Sequence, residues 1–223
     1  MQKRKQKKQE NSNVVEHENQ FMLTSDPSRF GKIIAHYELY KLIEDLPGAI
    51  VECGVFKGNS LIQFATFRHL FEAPHARAII GFDMFGKVAP TKFKDDKTYL
   101  DRFIKAAGTH GLSEQELQSV FSKKGFPNIE LVKGDVVKTV PAYLKSHSHL
   151  KIALLHIDTD VYEPAKMALE TLYDRVVRGG VIVFDDYGTF PGETKAADDF
   201  FKDKNVRIQK FPYSHIPSFI IKP

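Results

Sequence analysis

Two apolar runs in this chain finish in paired carboxylates. In "LLHIDTDVYEP" the run over residues 152–155 leads into Asp158 and Asp160, and in "GGVIVFDDYG" the run over residues 181–184 leads into Asp185 and Asp186. Short unbroken apolar runs read as strands buried on both faces. The acids at their ends then stand at the rim of a sheet. If they converge there, repulsion governs: two carboxylates ~5 Å apart repel by about 3 kcal/mol at an effective dielectric of roughly 20. Three remedies are open. Protons can be shared between the acids, a cation can sit among them, or Lys or Arg can arrive from elsewhere, since neither motif contains one. An all-oxygen ligand set suits a hard divalent ion, Mg2+ first and Mn2+ or Ca2+ next.

Other strand ends carry chemistry as well. "AIVECGV" runs on into "FKGNS", "RAIIGFD" ends in Asp83, and "NIELVKGD" ends in Gly134 and Asp135. Gly54 and Gly58 allow a tight turn and a close backbone approach. Asn59 and Ser60 open a helix whose amides face whatever the loop holds. The dinucleotide pattern G-x-G-x-x-G is absent, and Glu52 before the first glycine is an awkward neighbour for a pyrophosphate. Asp83 suits two ribose hydroxyls, because one carboxylate accepts from both, and Asp135 suits an adenine amino group. Such a pocket fits a nucleoside carrying positive charge better than one carrying phosphates. The alternative is an ordinary tight turn whose acids are caps.

The elements that position these residues alternate. "DPSRFGKIIAHYELYKLIEDLPG" reads as an amphipathic helix with a proline at its start and Pro-Gly at its end, and "NSLIQFATFRHLF", "VPAYLKSH", "EPAKMALETLYDRVV" and "ETKAADDFFKDK" read as further helices. Interleaved with the strands, they indicate an α/β fold with a parallel sheet covered on both faces. The last two strands, "VRIQKFP" and "SFIIKP", are joined by a link too short for a parallel crossover, so the final strand pairs antiparallel. Residues 87–128 are a helical insertion after the second strand, its second helix opened by the capping box Ser113…Glu116. Beside strand ends it is a candidate lid, with a structural hairpin or oligomer contact as the equal alternative.

The 223 residues suit one domain, over residues 21–223, with a sizeable core. The net charge of +4 is local: residues 1–10 carry five basic side chains against one acid, and 32 less five and 28 less one leave 27 of each sign. Residues 1–20 read as a basic, disordered tail, and no nucleic-acid partner is expected of the body. No apolar run approaches the ~20 residues of a membrane span and none resembles a secretion signal, so a cytoplasmic protein without a membrane partner is expected. The single cysteine, Cys53, excludes an internal disulfide or a cysteine-cluster metal site.

Together, "VECGVFKGNS", "IIGFD", "VKGD", "LLHIDTDVYEP" and "VIVFDDYG" resemble class I S-adenosylmethionine-dependent methyltransferases. The match is to the metal-dependent macrocin O-methyltransferase type, which methylates sugar hydroxyls of antibiotics. The resemblance runs from Phe21 over nearly the whole chain. It implies a Rossmann-like seven-stranded sheet with the last strand antiparallel and the fourth and fifth strands adjacent, so that the acids converge. S-adenosylmethionine is then the nucleoside, with Glu52, Gly54, Gly58, Asn59, Ser60, Asp83, Gly134 and Asp135 as its contacts. Thr24 or Ser25 would touch its carboxylate end from a segment passing over it. The resemblance further implies Mg2+ on Asp158, Asp185 and Asp186, with Asp160 as general base. The distantly related catechol enzymes place a lysine shortly after the strand-four aspartate; this turn has none, which argues against a catechol.

The implied reaction is methyl transfer to a hydroxyl of a sugar or sugar-like diol, on a glycosyl or nucleotide-sugar acceptor. The ion lowers the hydroxyl's pKa, Asp160 accepts its proton, and alignment supplies much of the rate. A homo-oligomer formed through the N-terminal and inserted helices is expected by the same resemblance. Two other readings stand beside it, because fold alone does not fix function: a relative that uses the cofactor on a different small molecule, and a non-catalytic nucleoside-binding protein.

Overall fold

The computed structural model describes residues 2–88 and 90–223. Five parallel strands form its centre: β1 (Ala49–Cys53), β2 (Ile79–Asp83), β3 (Ile129–Lys133), β4 (Ile152–Ile157) and β5 (Val176–Phe184). With β6 (Gln209–Lys210) and β7 (Ser218–Ile221) they make a seven-stranded sheet in the order β3-β2-β1-β4-β5-β7-β6. As the short final link requires, β7 runs antiparallel to both β5 and β6.

Helices cover both faces, and strand alternation decides which residue meets which layer. Ala49, Val51 and Cys53 of β1 join a core with α6 (Val136–Ser146), α7 (Tyr162–Leu172) and α8 (Pro191–Phe201). Ile50 faces the opposite core, built with α2 (Pro27–Lys41), α3 (Asn59–Phe71) and α5 (Glu114–Lys124). In β5, Ile182 and Phe184 take the first side, and Val181 and Val183 the second. The insertion is a pair of helices, α4 (Asp96–Ala107) and α5, and the Ser113…Glu116 capping box is present. Among the described residues no helix is long and apolar enough to cross a membrane.

Several boundaries differ from the sequence reading. Where the sequence reading expects a disordered tail, Gln2–Thr24 form α1, whose Lys, Gln and Glu are good helix formers, and residue 1 of that expected tail lies outside the described residues. α6 starts at Val136 rather than Val140, because Asp135 caps it by accepting from the Val137 amide at 3.0 Å; Pro141 therefore lies inside the helix. α7 stops at Leu172, and Val176 and Val177 belong to β5. The left-handed Gly179 (φ 78°) and Gly180, where an added side chain would press on the Val177 and Ala153 carbonyls, accompany a register shift between β5 and β4.

Candidate functional site

The carboxyl ends of β1 to β5 lie along one rim of the sheet. At β1, Gly54 has φ 89°, and a side chain there would overlap the carbonyl of Asp158. The Asp158 amide donates to the Cys53 carbonyl at 2.9 Å, so the first and fourth loops touch backbone to backbone. Gly58, at φ 77°, leads into α3 and has no room for a side chain because Leu117 of α5 packs on it. Asn59 is exposed at the helix start.

Other predicted cofactor contacts are engaged within the protein. The Asp83 carboxylate accepts from the amides of Val55 at 2.7 Å, Phe56 at 3.0 Å and Phe85 at 2.6 Å. That leaves about one of its roughly four acceptor positions for a hydroxyl. The Gly134 amide donates to the Asp83 carbonyl at 2.8 Å, and Asp135 is a half-exposed helix cap. Ser60 and Glu52 are buried, the Ser60 hydroxyl donating to the Glu52 carboxylate. Thr24 stands apart: it is exposed, and its hydroxyl donates to the Gln20 carbonyl at 2.6 Å. Its neighbour Ser25 instead has a buried hydroxyl without a partner.

Asp158, Asp160 and Asp186 converge, each offering a carboxylate oxygen within 4.8 Å of the others. They are partly open to solvent. Asp160 is held at φ 60°, a region uncommon for residues other than glycine and often used where a site must be aimed. Its carbonyl accepts from the Glu193 amide at 3.2 Å. The fully buried Glu193 carboxylate accepts from the Thr159 amide at 3.2 Å and the Asp186 amide at 2.8 Å, tying the loops after β4 and β5 together. Thr189 donates to Asp186 Oδ1 at 2.9 Å.

Burial, then the negative neighbours, push Asp158, Asp160 and Glu193 well above the usual carboxylate range. Asp186 rises for the same reasons. The Thr159 hydroxyl is buried with no partner in their midst. Clustered carboxylates with raised proton affinity and a partly open rim fit a hard divalent cation.

Asp185 does not join this trio. Adjacent residues at a strand end point to opposite faces, so Asp185 follows Val181 and Val183 toward α2 while Asp186 turns toward α8. There Lys32 Nζ lies 2.5 Å from Asp185 Oδ2, with His156 Nε2 3.3 Å and His36 Nε2 3.8 Å from Oδ1. Burial would raise the Asp185 carboxyl, but Lys32, His156 and His36 outweigh it and hold it well below the usual range. His156, the cross-strand partner of Glu52, also lies 3.6 Å from that carboxylate. Burial alone would discharge its imidazole; the two acids lift it to about 10.

The insertion is fastened to the same loops. Asp96, fully buried at the start of α4, accepts from the Gly192 amide at 2.6 Å and the Tyr162 amide at 3.1 Å, the first residues of α8 and α7 or nearly so. Glu163 accepts from the Lys92 amide at 3.1 Å. Between α4 and α8 lies an open groove of about 450 Å³, lined by Tyr99, Thr189, Phe190, Thr194 and Lys195. Thr189 links it to Asp186.

Four of these residues escaped the sequence reading. Lys32 and His36 did leave a signal: they sit one turn apart on the α2 face that also carries the buried Leu39 and Tyr40. Polar side chains on a core-facing stripe need partners. Glu193 and Asp96 left none, since an acid in the first turn of a helix is common for electrostatic reasons alone.

A seven-stranded sheet with an antiparallel end, a glycine turn after the first strand and acids along the rim define an α/β methyltransferase fold. The chain matches the family model of the macrocin O-methyltransferases (TylF) over residues 35–216 and belongs to that family. It is 28% identical over 150 residues to 8-demethyl-8-(2,3-dimethoxy-alpha-L-rhamnosyl)-tetracenomycin-C 4'-O-methyltransferase of Streptomyces olivaceus, across 66% of this chain and 55% of the relative. It is 25% identical over 163 residues to demethyldecarbamoylnovobiocin O-methyltransferase of Streptomyces niveus, across 70% of this chain and 59% of that one. The matched region thus spans less than two thirds of either curated relative. Among solved structures, the calicheamicin methyltransferase CalS11 superposes with a TM-score of 0.76 at 28% identity, over 93% of this chain and 85% of that one. The O-methyltransferase NovP gives 0.69 at 21% identity, over 84% and 78%, a likeness of fold.

Proposed function

We propose that this protein transfers a methyl group from S-adenosylmethionine to a hydroxyl of a sugar or sugar-like diol, with a divalent metal ion in the site. The observation that carries the reading is the gathering of Asp158, Asp160 and Asp186 within 4.8 Å beside the glycine turn, in a chain of this family. By the family resemblance Asp158, Asp185 and Asp186 would hold the ion, Mg2+ first; of these, Asp158 and Asp186 stand in the trio, while Asp185 is engaged by Lys32 and His156. When bound, it supplies the positive charge that makes a hydroxyl easier to deprotonate.

The remaining work falls to the chain. Asp160, whose affinity for protons is raised by burial and by Asp186 and Asp158, takes the hydroxyl proton. The turn over residues 54–58 seats the cofactor, kept in shape by the Val55 and Phe56 amides that Asp83 gathers. The Asp96 clamp fixes α4 against the acid-bearing loops, so the acceptor is aligned by the groove that Tyr99 and Phe190 line. A sugar acceptor is supported by the rhamnosyl group in one relative's name and by the solved TDP-rhamnose 3'-O-methyltransferase, 29% identical over 91% of this chain.

Two measurements test this. Calorimetry with S-adenosylmethionine should show binding, and absence of binding removes the methyltransferase reading. Methyl transfer to TDP-rhamnose should stop in EDTA and return with Mg2+; full turnover in EDTA removes the metal.

A further inference from the structure

The acids assigned to the ion already have a cation in their midst. Lys32 Nζ lies 2.5 Å from Asp185 Oδ2, and the negative charges acting on it are those of Asp185, Asp158 and Asp186, the same three carboxylates. Its side chain is 25% exposed against 4% for Asp185, so part of the lysine side chain reaches solvent while the carboxylate is enclosed. A lysine is a compact charge on a flexible four-carbon stem. Asp185 would remain in place, still faced by His156 at 3.3 Å and His36 at 3.8 Å.

We infer that Lys32 is a displaceable counter-ion, which neutralises the carboxylates in the metal-free protein and withdraws from Asp185 when a divalent ion enters. The inference rests on the metal reading above. It resolves how Asp185 can be both a ligand and a residue tied to α2. An ammonium and a divalent ion cannot share these acids without strong repulsion. The apparent affinity for metal is then reduced by the fraction of molecules in which Lys32 occupies the site.

Mn2+ is the probe. Electron paramagnetic resonance of free Mn2+ measures its binding to the unaltered protein, Lys32→Met and Lys32→Arg. Lys32→Met should bind about tenfold more tightly or better, and Lys32→Arg, which keeps the charge, should not. On the unaltered protein, acylation by an N-hydroxysuccinimide ester read by peptide mass spectrometry should find Lys32 protected without metal and labelled several-fold faster in saturating Mn2+. Should Lys32→Met not fold, the labelling experiment decides alone. Equal Mn2+ affinity in the unaltered and Met proteins, or labelling indifferent to Mn2+, overturns the inference while leaving the metal reading standing. Failure of Mn2+ to bind either protein overturns the metal reading, and this inference with it.

Discussion

Asp158, Asp160 and Glu193 hold their protons well above the usual carboxylate range, while an unfolded chain releases such protons near ~4. Between those values the folded state binds more protons than the unfolded one, so stability falls as pH rises. His156 works in the same direction: its pKa of about 10 gives stability that is complete below ~6.5 and is lost as pH climbs toward 10. Two groups oppose this: Asp185, held low, only under more acid conditions, and His36, whose imidazole burial pushes below its ordinary value, as pH falls through ~6.5; the carboxylates and His156 outnumber them. Calorimetric melting of the metal-free protein should therefore give a higher Tm near pH 5.5 than at pH 8, with Mg2+ flattening the difference. A Tm that rises with pH over that span contradicts the picture. Asp160→Asn removes both a crowded carboxylate and the proposed base, so its metal-free Tm should rise by a few degrees while kcat falls about 10²–10⁴-fold. Turnover equal to that of the unaltered protein would show that another group takes the proton. At this scale the acids were legible, because carboxylates ending apolar runs are unusual. Their partition was not: the same alternation that identifies the strand sends Asp185 and Asp186 to different layers, and Lys32 comes from a helix more than a hundred residues earlier.

The insertion and the glycine turn are coupled to the site by single groups. Removing the Asp96 carboxylate by Asp96→Ala leaves the buried Gly192 amide and the partly buried Tyr162 amide without an acceptor, which costs about 1–3 kcal/mol. A fall in Tm of roughly 2–10 °C should follow, with partial recovery in Asp96→Asn; a Tm unchanged in the alanine variant would mean the amides find other partners. Gly54→Ala meets the Asp158 carbonyl and needs a left-handed backbone, so S-adenosylmethionine binding measured by calorimetry should be lost or greatly weakened. The strands, their order of appearance and the antiparallel finish could be read from apolar runs and link lengths. Ends were harder. Pro141 looked like a helix start and "DRVV" like a helix end, because a cap at Asp135 and a bulge at Gly179 depend on neighbours in space.

Across the molecule, the two cores on either side of the sheet draw nothing from α1 among the described residues; Leu39 is the first buried member of either. Phe21 touches Phe30 with ring centroids 5.1 Å apart, so the junction with α2 begins there. Deleting residues 1–20 should accordingly leave Tm within about 2 °C and S-adenosylmethionine affinity unaltered, and a large loss in either would assign α1 to the folded body. Cys53 has a practical bearing on the molecule as a whole. Its thiol is completely enclosed in β1 and pushed by burial above its ordinary range, so it is a poor nucleophile toward soluble reagents. A second cysteine engineered on the outer side of α4 would take up a maleimide dye against a silent background, and the position of the inserted helices could be followed by fluorescence without first stripping the chain of native sulfhydryls.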